Sequence, residues 1–341
     1  MPVRPLPTRS PLLKVLRARV AAVGALLGST AIAGACLGLA APVVLSAPPS
    51  SAQGQTARSC PGISEAPRLL KDGFRWSEGP IWVASEQHWV FSDVMGDRQY
   101  TITPAGSLKV FRQPSGYANG NNLSPKGFLV SAQHDRQLVA VNLNGKVLRV
   151  LANSYQGKKL NSPNGVAIAA DDSIWFTDPP MGINGYGPVK APQELPYQGV
   201  FRLSRGQLTL MDASFGLPNG IAFAPDGRRL YVSDTKDNSI SVFRVSADST
   251  HLKDKRLFAR LTPVPGGGKD GVADGLKVDH AGNVWATGPG GITVFDPSGS
   301  IRCQIPFPAH VADLAFGGRN GNLILVASAD KLYLIKGKQA F

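Results

Sequence analysis

The chain has 341 residues, 36 Lys and Arg against 23 Asp and Glu, and a formal net charge of +13. Five of the basic residues, and no acidic ones, fall in the first 52 positions, so the remainder carries about +8, scattered in short clusters such as Arg228-Arg229 and Lys253 to Arg256. Without a concentrated basic face or an aromatic stacking platform, that balance excludes a nucleic-acid-binding protein, and 38 Gly with 27 Pro exclude a mainly helical domain.

Residues 1–52 read as a secretory signal. Arg4, Arg9, Lys14, Arg17 and Arg19 precede an Ala/Gly/Leu/Val run that stays uncharged up to Arg58 and turns Pro- and Ser-rich before Ser50-Ser51-Ala52. Cleavage after Ala52 would make the protein periplasmic or secreted. Retention would anchor it and give it weak membrane association, and lipidation at Cys36 is a third outcome because Ala33-Gly34-Ala35-Cys36 approximates a lipobox. Once Cys36 leaves, Cys60 and Cys303 form an even pair in an oxidising compartment. They are read either as a ring-closing disulfide or as two unpaired thiols.

Residues 53–67 form a tether, and 68–341 form one all-β domain. Six apolar runs each begin with a polar residue: Glu78-Gly79, Asn119-Gly120, Asn164-Gly165, Asn219-Gly220, Asp274-Gly275 and Asp313. A second marked position follows 14 or 15 residues later, at Asp93, His134, Asp178, Asp234, Gly288 and Ser328. A period of about 40 to 55 residues with several short strands per unit predicts a six-bladed β-propeller. The fourth unit shows the grammar most clearly: Pro225-Asp226-Gly227 makes a turn, LYVSD a second strand and ISVFRV a third. Two Gly/Pro-rich stretches, Pro179 to Gly199 and Thr262 to Ala273, read as rim loops, the first of which would serve equally as a lid.

In a ring, the first strands aim at one channel, so six isolated polar residues become one shared site. There is no G-x-S-x-G elbow, phosphate loop or H-E-x-x-H motif, and the five histidines lack ligand spacing. What remains is a set of oxygen donors: Glu78, Asn119, Asn164, Asn219, Asp234 and Asp274. Carboxylate and amide oxygens suit a hard divalent cation such as Ca²⁺ or Mg²⁺, and like charges gathered without one could not all ionise. The bland alternative is that each Asn-Gly or Asp-Gly step is a turn and that Asp93, Asp178 and Asp234 bond backbone amides.

At these residues the chain resembles the regucalcin/gluconolactonase family of six-bladed propeller lactonases. Trp76-Ser77-Glu78-Gly79-Pro80-Ile81-Trp82 is similar to that family's opening motif, and NSPNGVAIAADDSIWFTDPPMG to its central signature; LPNGIAFAPDGRRLYVSDT and VADGLKVDHAGNVWATGPGGITVF follow in family order. The resemblance implies one divalent cation (Ca²⁺, Mg²⁺ or Zn²⁺) held by Glu78, Asn164 and Asp234. Asn119 and Asn219 would line the pocket, with Tyr117 and His134 near the substrate. It implies hydrolysis of a gluconolactone-like sugar lactone to the aldonic acid: the cation polarises the carbonyl, Asp234 is ligand and general base, and no partner protein is needed. A different lactone or ester, or a calcium-stabilised propeller that binds without turnover, are the alternatives.

Overall fold

The computed structural model describes residues 59–341. The signal segment 1–52, Cys36 and the first part of the tether lie outside these residues. The described chain forms six four-stranded antiparallel sheets arranged as a propeller. Blade 1 runs Ser77–Val83, His88–Asp93, Arg98–Ile102 and Leu108–Arg112; blade 2 runs Ala118–Leu123, Leu129–Gln133, Gln137–Val141 and Val147–Ala152. Blade 3 comprises Val166–Ile168, Ile174–Asp178, Gly199–Ser204 and Gln207–Asp212, and blade 4 Pro218–Phe223, Arg229–Asp234, Ser239–Val245 and Leu252–Arg260. Blade 5 comprises Leu276–Val278, Val284–Gly288, Gly291–Phe295 and Ile301–Pro306. Blade 6 is composite: Asp313–Gly317, Leu323–Ser328 and Lys331–Lys336 are completed by the N-terminal strand Arg68–Asp72, with Arg68 opposite Leu334 and Asp72 opposite Lys331.

The sequence shows three strands per unit plainly, whereas each blade has four. The fourth, outermost strand is poorly marked because it is half exposed: Val147–Ala152 has four exposed residues of six. Second strands, by contrast, are buried throughout, as at Ile174–Asp178. Alternation sends successive side chains to opposite faces, so Trp175 joins the apolar cluster between blades 3 and 4 and Phe176 the one between blades 2 and 3. The same split recurs at Val90 and Phe91, Tyr231 and Val232, and Trp285 and Ala286. Six clusters result, one between each pair of adjacent blades. Both faces of every sheet are covered, which is why these strands read as continuous apolar runs.

Closure is tied twice. The N-terminal strand pairs with blade 6, and a disulfide joins Cys60 to Cys303 on the outer strand of blade 5, with Cα atoms 4.9 Å apart. Cys60 packs among the apolar residues between blades 5 and 6. Of the two alternatives open in the sequence, the structure forms the bridge.

Candidate functional site

The Asn-Gly and Asp-Gly steps are not hairpin turns. They lie where first strands crowd the axis, and the glycine admits the backbone of the next blade or, at Gly275, the Asp313 side chain. A Cβ on Gly120 would stand 2.2 Å from the Asn164 carbonyl oxygen, one on Gly165 2.4 Å from that of Asn219, and one on Gly220 2.5 Å from that of Asp274. Such distances forbid any side chain. In blades 1, 3 and 4 a hydroxyl one residue before the end of the second strand fastens the carbonyl of the next blade's polar residue. Ser92 donates to Asn119 O at 2.8 Å, Thr177 to Asn219 O at 2.6 Å and Ser233 to Asp274 O at 2.5 Å. The polar residue preceding each glycine is thereby held at the channel.

Glu78, Asn119, Asn164, Asn219, Asp274 and Asp313 line one cavity of about 20 Å³. That is room for a single water-sized occupant. Glu78 is 5 % exposed, Asp274 7 % and Asp313 7 %. Burial, then the charges of Asp274 and Asp313, push the Glu78 carboxyl well above the usual range, opposed by the Gly79 N–H and by Lys277. Burial and Asp313 raise Asp274 likewise, against a hydrogen bond from Asn219 and the charge of Lys277. Burial also raises Asp313, but the Lys277 ammonium stands 2.7 and 2.8 Å from its two oxygens and opposes the shift. His310 Nε2 lies 2.8 Å from Asp274 Oδ2. Burial pushes that imidazole down to about 4, so the contact is a hydrogen bond between the carboxyl and a neutral ring rather than an ion pair.

This donor set suits a hard divalent cation. Glu78 and Asp274 supply carboxylates that repel one another without a counter-charge. Asn164 directs its amide nitrogen to Met181 Sδ at 3.5 Å, and Asn219 shares its own between Thr235 Oγ1 at 3.1 Å and Asp274, leaving oxygens for an ion. Among the described residues no three His, Cys, Asp or Glu side chains form a group able to hold a metal by themselves. The set is therefore mixed, two carboxylates with carboxamides.

Asp234 requires a correction. It does not line the cavity: its Oδ2 accepts from Gly216 N at 2.7 Å and its Oδ1 from Leu217 N at 2.8 Å and Lys236 N at 3.0 Å. Asp93 accepts likewise from Arg75 and Trp76, and Asp178 from Asn161 and Ser162. In blades 1, 3 and 4 the second marked position thus satisfies the amides of the chain entering the first strand. Asp274, not Asp234, is the carboxylate that blades 4 and 5 bring to the cavity lining. Tyr117 is also absent from the axial lining: its backbone is left-handed (φ 53°), its N–H bonds Asp97 Oδ1 at 2.9 Å, and it borders a separate groove with Asp97, Arg112 and Gln133. His134 sits beneath the Pro179–Gly199 loop, with Nδ1 3.2 Å from Tyr186 O and no partner for Nε2.

That loop roofs the axis. Met181 meets Asn164, and the Tyr186 ring lies 6.2 Å from that of Trp76, which in turn lies 5.2 Å from His310. Trp76, Met181, Tyr186, Lys277 and His310 all escaped sequence reasoning. Only Lys277 left a signal there. Three residues after each marked position stand Ile81, Asn122, Ala167, Ala222 and Phe316, and Lys277 is the one charge in that series.

Residues 76–330 match the family described as the SMP-30/gluconolactonase/LRE-like region. A gluconolactonase from Zymomonas mobilis is 33 % identical over 294 residues, spanning 81 % of this chain and 82 % of that protein. A pentonolactonase from Haloferax volcanii is 25 % identical over 269 residues, 77 % of this chain and 84 % of that protein. Among solved structures, a gluconolactonase from Xanthomonas campestris superposes with a TM-score of 0.73 at 30 % identity, covering 83 % of this chain and 97 % of that one.

Proposed function

The chain belongs to the SMP-30/gluconolactonase/LRE-like family, and from that premise we propose that it is a lactonase that hydrolyses a sugar lactone to its aldonic acid at the propeller axis. The observation that carries this reading is the convergence of Glu78, Asn164, Asn219 and Asp274 on a cavity sized for one ion. Glu78 and Asp274, with the oxygens of Asn164 and Asn219, would hold a divalent cation. When bound, it supplies Lewis acidity to the lactone carbonyl and makes a neighbouring water more acidic.

The remaining work falls to the chain itself. Asp274, on the lining of the cavity, would accept a proton from the attacking water, a role passing to it from Asp234. The His310 N–H fixes the Asp274 carboxylate in one orientation. Asn119 stands on the lining where its amide can donate to the oxygen on which charge develops. Trp76 and Tyr186 offer aromatic faces to the C–H edges of a sugar ring, and the buried, unpartnered His134 Nε2 is a hydrogen-bonding group for ring hydroxyls beneath the loop.

Acid release from glucono-δ-lactone, followed with a pH indicator in chelator and after adding back Ca²⁺, Mg²⁺ or Zn²⁺, tests the reading. Cation-dependent turnover, lost in Asp274→Ala but kept in Lys236→Ala, is expected. Cation-independent turnover, or full activity in Asp274→Ala, refutes it. Five-carbon lactones belong in the same panel because the Haloferax volcanii relative is a pentonolactonase. Export is part of the proposal, and the Cys60–Cys303 bridge supports it, since such bonds persist in oxidising compartments.

A further inference from the structure

Lys277 is the one cation among the residues lining the axial cavity, and it faces three carboxylates. Its ammonium is bidentate on Asp313 and lowers the pKa of Glu78 and Asp274 as well. The remaining lining is Asn, Gly, Val and Ile, all uncharged. With Glu78, Asp274 and Asp313 ionised and Lys277 protonated, the cavity carries a net charge of about −2, the charge one divalent ion neutralises. The space is as restrictive as the charge, because about 20 Å³ leaves no room for a second ion.

We propose that Lys277 is the built-in counter-charge that fixes the axial site at one divalent cation and selects divalent over trivalent ions. The inference rests on the cation reading given above and goes beyond it by naming what sets stoichiometry and charge preference. The physical basis is simple. An ion entering the cavity feels the sum of all fixed charges through a medium of low dielectric, so one added or removed unit alters trivalent binding more than divalent binding. Asp313 consequently serves as the anchor for Lys277 and not as an ion ligand, its two oxygens being occupied at 2.7 and 2.8 Å. Because Asp313 lies on blade 6 and Lys277 on blade 5, the same pair joins two blades beside the axis.

The test uses the folded, cation-stripped protein and isothermal titration with Ca²⁺ and with La³⁺. The parent should take one Ca²⁺ per chain. Lys277→Met keeps most of the aliphatic stem and moves the cavity toward −3, so the La³⁺:Ca²⁺ affinity ratio should rise by on the order of tenfold or more. Lys277→Arg should keep the parent ratio, and Lys277→Met combined with Asp313→Asn, which returns the net charge to −2, should restore it. Should Lys277→Met fail to fold, Asp313→Asn alone carries the same test with opposite sign, lowering the ratio. A parent that binds one Ca²⁺ alongside an unchanged ratio in these variants overturns the role of Lys277 while sparing the cation site. A parent that binds no cation overturns both.

Discussion

Glu78→Gln should reverse its effect on stability according to whether a cation is present. Gln has the shape of Glu and keeps a side-chain oxygen to accept the Gly79 N–H, which Glu78 Oε2 now receives at 3.1 Å. What it removes is a buried charge that Asp274 and Asp313 repel. Relieving poorly compensated buried charge stabilises by about 1–4 kcal/mol. A folded unit of about 280 residues has an unfolding entropy near 0.6 kcal/mol per kelvin, so each kcal/mol moves Tm by roughly 1.7 °C. In chelator at pH 8, Glu78→Gln should therefore melt about 2–7 °C above the parent. With cation at a hundred times its Kd the parent gains about 2.7 kcal/mol, or roughly 4–5 °C by the same conversion, while the variant gains almost nothing. The gap between the two melting curves then shrinks by those 4–5 °C or inverts, as differential scanning calorimetry at fixed pH can record. A change that merely spoiled packing would lower Tm in both conditions. A variant less stable than the parent in chelator, or a parent Tm indifferent to cation, refutes the reasoning.

Three further outcomes follow from the fold. Cys303→Ser opens a loop spanning 243 residues, for which chain entropy gives about 5 kcal/mol as an upper value; urea denaturation should show most of that loss, and an unchanged midpoint would refute the tether. Gly165→Ala sets a methyl 2.4 Å from the Asn219 carbonyl oxygen, so it should cost more than about 2 kcal/mol, whereas Gly157→Ala, at a φ of 77° with open space around it, should cost about 1 kcal/mol. The His134 imidazole, pushed by burial down to about 4, takes up its proton in the unfolded chain first. The His134 contribution to stability should thus fall by about 3 kcal/mol as pH drops from 6.5 to 4, with no contribution above pH 7; His310, also pushed down to about 4, acts over the same range, so His134→Gln should remove about half of what the two imidazoles contribute, read from denaturation midpoints.

The ring was legible because its cause repeats. Six first strands must approach one axis, so a polar residue recurs at the same point, followed by glycine in five of the six, and second strands covered on both faces recur as apolar runs, three of them ending in Ser-Asp or Thr-Asp. The outer strands were obscure for the opposite reason: Leu108–Arg112 and Val147–Ala152 are half in water and carry little pattern. Recurrence, however, records whatever every blade needs, and every blade needs its amides capped. Asp93, Asp178 and Asp234 share that role, which the residues alone left open for Asp234 and which the family likeness set aside in favour of a ligand.

Chemistry breaks the repeat instead. Within the first marked position four blades present Glu78, Asn164, Asn219 and Asp274, yet only two of these are charged. The asymmetry between carboxylate and carboxamide around the axis is what a single ion requires. Three residues further on, Lys277 interrupts an otherwise uncharged series. Trp76, Tyr186 and His310 lie beyond any such register, because they reach the mouth from the entry to blade 1, a rim loop and the entry to blade 6. Only the folded chain puts them side by side. In a radial repeat, then, periodic residues build the frame, and departures from the period at equivalent positions mark where ligand is held.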